Sequence, residues 1–209
     1  NLSHKKILVI YTGGTIGMIS TEYGHDVEVG YLSKTVVRTK DFYHFNMPKF
    51  EVIEYDDLID SSDVKPERWV SLVKNIIQHY NNYDGFVILH GTDTLAYTAS
   101  ALSFMLGNIE KPVIVTGSQI PLSKIRSDGI SNIMNSLIFA CSDKIKEVCV
   151  YFNQKLRRGN RTTKVSATDF DAFISPNYPS LAYVGIDIDL KNQRLWRRKA
   201  STTLECFKK

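Results

Sequence analysis

The chain has 209 residues, 43% of them hydrophobic and 23% charged, enough apolar material for one core of ordinary size and a short tail. Its net charge of +4 is too mild to point to nucleic acid, and no uninterrupted apolar stretch approaches the ~20 residues that cross a bilayer. Cys141, Cys149 and Cys206 lack metal-ligand spacing and leave one thiol over in any pairing, and the first residues lead into a strand with no signal-peptide pattern, so the reading is a cytoplasmic protein.

Residues 6–11 predict a buried strand that stops at Thr12-Gly13-Gly14-Thr15. The polar stretch 18–40, with Gly24 and Gly30 and no clear period, reads as a long loop of the kind that forms active-site lids. A second strand over 50–55 ends at Asp60-Ser61-Ser62-Asp63. Pro66 then suits a first helical turn, with Trp69, Val73, Ile76, Ile77 and Tyr80 at helical spacing. The strand 86–89 runs into His90-Gly91-Thr92-Asp93-Thr94, and Thr94 caps an apolar helix through Leu106. Residues 112–116 form a fourth strand with the turn Gly117-Ser118-Gln119. Ile130, Ile133, Met134, Leu137, Ile138 and Cys141 mark the next helix, and 148–152 a fifth strand. This alternation predicts an α/β fold, a mainly parallel sheet with helices on both faces, over residues 1–190. Residues 191–209 carry no period of either kind and read as an irregular tail.

Ligands of open α/β sheets bind outside the carboxyl ends of the strands, so the turns after the first and third strands share a rim. Thr15 follows two glycines that let a substrate approach the backbone, which suits a nucleophile beside oxyanion-holding N–H groups; a tight turn or a phosphate loop are the alternatives. Thr92 adds a second hydroxyl and Asp93 a carboxylate that either grips a substrate ammonium or caps the next helix. Lys164, in Arg157-Arg158-Gly159-Asn160-Arg161-Thr162-Thr163-Lys164, becomes a base if burial and neighbouring cations lower its pKa; otherwise the segment is a solvated basic loop. His90 sits in an apolar strand end and reads as packed. Asp60-Ser61-Ser62-Asp63 offers acceptors and hydroxyls to an amino-acid head group, or an N-cap to the following helix. Together these turns suit attack on a carboxamide or ester through an acyl-threonine intermediate.

The same residues resemble the asparaginase/glutaminase family, in particular its cytoplasmic type I bacterial branch. Tyr11-Thr12-Gly13-Gly14-Thr15-Ile16-Gly17-Met18 is similar to the family's first signature and 84–94 to its second, with support from 60–63, 112–121 and 158–164. The resemblance implies hydrolysis of L-asparagine, and of L-glutamine to an extent the sequence leaves open, with no cofactor and no metal. It implies Thr15 as nucleophile, with Thr92, Asp93 and Lys164 positioning and relaying protons. It places Asp60, Ser61, Ser62, Thr92 and Asp93 on the substrate, the backbone near Ser118 at the carboxamide, and Thr163 at an allosteric site near a subunit interface. The partners implied are the small-molecule substrate and further copies of the chain in a homodimer or homotetramer, with neither nucleic acid nor membrane.

The sequence departs from the family pattern in two places. The lid tyrosine should follow Gly24, where His25 stands, so Tyr23 or His25 is left to fill that role. The family's smaller C-terminal α/β domain, which supplies an acidic residue to a neighbouring subunit's site, does not follow here. Residues 194–209 match nothing in the family, so 191–209 reads as a truncated or frame-shifted linker. Two further readings stay open: a weakly active or inactive asparagine-binding domain, and an amidotransferase subunit acting on mischarged tRNA, which would call for an extra N-terminal domain.

Overall fold

Ile7, Leu8, Val9, Ile10 and Tyr11 are all buried, whichever way their side chains point. A strand can bury both sets only when it lies inside a sheet covered on both faces. The computed structural model describes residues 2–21, 24–27, 29–56, 58 and 64–197, excepting the side chains of 20, 21 and 24–27.

In chain order the elements are β1 (Lys6–Tyr11), β2 (Met18–Thr21), β3 (Gly24–Val27), α1 (Tyr31–Arg38), β4 (Lys49–Glu54), α2 (Pro66–His79), β5 (Gly85–Leu89), α3 (Leu95–Met105), β6 (Val113–Thr116) and α4 (Gly129–Ala140). They continue as β7 (Val148–Phe152), β8 (Lys155–Arg158), β9 (Thr163–Lys164), β10 (Phe173–Ile174), β11 (Ala182–Val184) and β12 (Ile188–Leu190). The main sheet has eight strands in the order β12-β11-β8-β7-β6-β5-β1-β4. β4, β1, β5, β6 and β7 run parallel, whereas β8, β11 and β12 join by antiparallel pairing.

Alternate residues of the central strands feed two cores. Ile7, Val9, Val87, Leu89 and Ile114 pack with Leu32 and Val36 of α1 and Ile133 and Leu137 of α4. Leu8, Ile10, Phe86, Ile88 and Val115 pack with Leu72, Val73 and Ile76 of α2 and Leu95, Ala99 and Leu102 of α3. Each such side chain other than that of Ala99 contributes about 1.5–3 kcal/mol on burial. The result is the expected three-layer α/β arrangement.

Two expectations need correction. The stretch 18–40 is not an irregular loop: β2 and β3 pair as an antiparallel hairpin, and α1 follows after Gly30, whose φ is 80°. With Leu32 and Val36 as its buried residues, α1 has too short an apolar stripe to register as helical in the sequence. The basic segment from Arg157 is also no solvated loop. Arg157 and Arg158 lie in β8 and are buried, paired with Asp171 at 3.0 Å and with Glu147 at 2.7 Å. Of the tail, 192–194 form a short 3₁₀ turn and Leu195 is buried, while 198–209 lie outside the described residues.

Candidate active site

The rim at the carboxyl ends of β1, β5 and β6 is organised by main chain in contact with main chain. Thr12 donates from its backbone N–H and its hydroxyl to the Leu89 carbonyl, both at 3.1 Å, tying the end of β1 to β5. Gly14, at φ 92°, lies so close to the next turn that a Cβ built on it would stand 2.3 Å from the Gly91 Cα. A Cβ on Gly117 would stand 2.3 Å from the His90 carbonyl oxygen. The Gly14, Gly91 and Gly117 turns thus meet around the His90–Gly91 peptide. Thr15 opens a short 3₁₀ turn, Thr15–Gly17, directly after Gly14, and is half-buried.

Thr92 is buried on the adjoining turn. Lys164, from β9, reaches across and donates to Thr92 Oγ1 at 2.8 Å and to Asp93 Oδ1 at 2.7 Å. Residues 71 and 72 positions apart in sequence therefore form one hydroxyl–ammonium–carboxylate cluster. A charge-assisted bond to a hydroxyl and an ion pair from one ammonium fix its position strongly, since both are stronger than neutral hydrogen bonds. Of the arginines in the segment before it, Arg157 and Arg158 pair with Asp171 and Glu147. Thr94 occupies the N-cap position of α3 without a capping bond from its side chain.

His90 is packed, as its sequence context suggested, at 1% exposure. It anchors the rim from below. Trp69 Nε1 donates to Thr98 Oγ1 at 2.9 Å, Thr98 Oγ1 lies 2.9 Å from His90 Nε2, and His90 Nδ1 lies 2.8 Å from the Gly91 carbonyl. A carbonyl only accepts, so Nδ1 carries the proton and Nε2 accepts from the Thr98 hydroxyl. Burial favours that neutral ring and pushes the imidazole pKa down to about 4, against the opposing effect of the Gly91 bond.

Ser118 is buried, and its hydroxyl donates to the Ile120 carbonyl at 2.7 Å, so this side chain shapes its own turn. Thr163 is exposed, at the start of β9. A cavity of about 510 Å³ lies beside Lys164, lined by Asp93, Tyr97, Ser100, Thr163 and Ser166 among others; Thr15 and Thr92 do not line it. Tyr23, Asp60, Ser61 and Ser62 lie outside the described residues, as does the side chain of His25. Sequence reasoning missed Asp128 and Asn132, whose side chains hold the turn after β6. Their one signal was an Asp-Gly pair just before the apolar stripe of α4. Among the described residues no group of three or more His, Cys, Asp or Glu is placed to hold a metal, and no helix is long and apolar enough to cross a membrane.

Known proteins are similar to this chain in sequence and fold. L-asparaginase 1 of Escherichia coli strain K12 is 54% identical over 187 residues, which cover 90% of this chain and 55% of that protein. The L-asparaginase of Dirofilaria immitis is 43% identical over 215 residues, covering 91% of this chain and 36% of that protein. The crystal structure of L-asparaginase I from Vibrio cholerae superposes with a TM-score of 0.88 at 48% identity, over 95% of this chain and 60% of that one. The chain thus spans about half the length of the bacterial relative. The family description "Asparaginase, N-terminal" matches residues 6–196, and by that match, set beside these relatives, the chain belongs to the asparaginase family.

Proposed function

We propose that the chain forms the catalytic N-terminal part of an L-asparagine amidohydrolase working through an acyl-threonine intermediate. The observation that carries this reading is the bonding of Lys164 to both Thr92 and Asp93, on a turn that abuts the one presenting Thr15. Thr15 Oγ attacks the side-chain carboxamide carbon of L-asparagine. The carbonyl pair moves onto oxygen, and its return expels ammonia, which takes up the proton released by Thr15. Water then opens the Thr15 ester, returning a proton to the hydroxyl and releasing L-aspartate. Thr92 and Lys164 relay the protons in both steps. Asp93 holds the α-ammonium, Asp60, Ser61 and Ser62 hold the rest of the head group, and Tyr23 belongs to the lid. The backbone at Ser118 faces the carboxamide, and Thr163 belongs to a second asparagine site at a subunit interface of a homo-oligomer. A cytoplasmic setting is part of the reading, supported by Cys141 and Cys149 remaining buried thiols.

The test is ammonia release from L-asparagine and L-glutamine side by side, with mass spectrometry of the protein quenched during turnover. Release from L-asparagine and a mass increment on the peptide carrying Thr15 are expected. Thr15→Ala should lose both, falling at least about 10³-fold in kcat. Normal turnover by that variant rules Thr15 out as nucleophile. A second reading, an asparagine-binding domain with little turnover, is favoured by the cavity beside Lys164, which Asp93 lines and Thr15 and Thr92 do not. Calorimetric binding of L-asparagine without ammonia release would select it.

A further inference from the structure

Among the described residues, no side chain from α1's own stretch caps its first turn: Gly30 stands at the N-cap position, and the turn holds no acidic residue. N–H groups at a helix start have no partners inside the helix and must find acceptors elsewhere. Here they find Glu54, the last residue of β4, 21 and 24 positions further along the chain. Glu54 Oε2 accepts from the Gly30 N–H at 2.5 Å, and Oε1 from the Ser33 N–H at 2.7 Å. The Ser33 hydroxyl also donates to Oε1, at 2.5 Å. Both oxygens are taken by donors, and the negative charge lies at the positive end of the helix.

Glu54 pairs in register with Tyr11, the last residue of β1 and a fully buried one. The Tyr11 hydroxyl donates to the Gly14 carbonyl at 3.3 Å, and a Cβ built on Gly17 would stand 2.0 Å from that hydroxyl oxygen. Two neighbouring strand ends thus hold the chain where it enters the β2–β3 hairpin, at 14–17, and where it has left it, at 30–33. The entry carries Thr15. Gly14, the N-cap of that short turn, offers no side chain, so the turn takes its position from what packs on it. Ile16 is fully buried and lies in one cluster with Leu32 and Val36 of α1. Its carbonyl accepts from the Leu122 N–H at 3.1 Å.

We infer that Glu54 is a positioning residue for Thr15: its carboxylate seats α1, and α1 seats the turn that carries Thr15 through Ile16. The inference rests on the amidohydrolase reading above, and it adds that the attacking hydroxyl is set in place from β4, the strand at one edge of the main sheet. Glu54 acts through α1 and not on substrate, as supporting groups act on the groups that make contact. A shift of Thr15 by a fraction of its reach would cost attack on the carboxamide more than it costs binding of the amino-acid head group.

The experiment compares Glu54→Asp, Glu54→Gln and Glu54→Ala in the intact protein, measuring kcat and KM for L-asparagine and the inhibition constant of L-aspartate. Aspartate is bound without being attacked, so its inhibition constant reads the head-group grip alone. Glu54→Ala should lose about 10- to 100-fold in kcat, the value of one or two charge-assisted bonds. Glu54→Gln keeps the length of the side chain but sets an NH₂ donor against a backbone N–H donor, so it should lose nearly as much. Glu54→Asp is shorter yet accepts at both oxygens, and should keep the most activity of the three. Aspartate inhibition should move less than about threefold throughout, because the grip is a separate set of contacts. A role in packing alone would reverse the order, leaving Glu54→Gln near the parent and Glu54→Asp poorer; that order overturns the inference. Aspartate inhibition weakening in step with kcat overturns it too, since the effect would then fall on the whole site. Should Glu54→Ala fail to fold, Glu54→Asp and Glu54→Gln still decide by their order. An active parent whose variants keep its kcat defeats this inference alone. A parent that releases no ammonia from L-asparagine defeats the amidohydrolase reading, and the role of Glu54 falls with it.

Discussion

At the level of single residues, His90 ties the fold to the site without being a reagent. Its two ring nitrogens are spent on Thr98 and the Gly91 carbonyl, so it is needed neutral. The ordinary imidazole value is 6.5, and burial lowers it to about 4 in the folded chain. Between those values the unfolded chain takes up a proton that the folded chain refuses, so stability falls as the pH drops through this window. The contribution is fully present above pH 6.5, and about 3 kcal/mol of it is gone by pH 4. Urea unfolding from pH 7 to 4 should show that decline, and His90→Gln should flatten the slope even where it lowers stability overall. An unchanged slope would assign the pH dependence to other groups.

At the level of elements, the rim depends on turns that admit no side chain at their contacts. Gly14→Ala would put a methyl group 2.3 Å from the Gly91 Cα at a φ of 92°. Strain of about 1–2 kcal/mol comes from the backbone alone, and the overlap must be relieved by moving the turns apart. A displacement of ~1 Å at a reacting centre costs about 10²-fold in rate, so this variant should lose at least that much in kcat/KM while losing only a few kcal/mol of stability. Assays of turnover and melting on the same preparation would show whether the two losses separate in that way. The sequence made much of this legible. Uninterrupted apolar runs gave β1, β5, β6 and β7 within a residue or so, the first three with a glycine turn close behind, because a strand buried on both faces has no polar positions to disguise it. Thr15, Thr92 and Asp93 were named from the turns that end those runs, Lys164 from the basic segment 157–164, and all four from family resemblance; the bonds from Lys164 to Thr92 and Asp93 are what the structure adds. What escaped were elements held by their neighbours. In α1 the buried residues are Leu32 and Val36 alone, and β8 buries its arginines through Glu147 and Asp171, 11 and 14 positions away. Asp128 was hidden because nothing in its local sequence says that its carboxylate serves a loop eight and nine residues earlier.

At the level of the whole molecule, a second buried polar cluster fastens the end of the described chain to the sheet. Glu147 receives Arg158 at 2.7 Å and the Trp196 N–H at 2.7 Å, while Arg158 also donates to the Arg194 carbonyl at 2.8 Å and lies 4.2 Å from the Tyr178 ring. Removing the carboxylate leaves a guanidinium largely out of water without its partner. Glu147→Ala should therefore lose about 3–5 kcal/mol in denaturant unfolding, with early protease cleavage near 192–197. Loss of stability without earlier cleavage there would show that other contacts keep this segment seated. The junction of Gly14, Gly91 and Gly117 carries the wider lesson. A platform built of bare peptide groups has no rotamers to sample, so its stiffness comes from the parallel strands beneath it. The hydroxyls, amine and carboxylates standing on it can be exchanged one at a time to retune selectivity. A single methyl group added to the platform would disturb every one of them together.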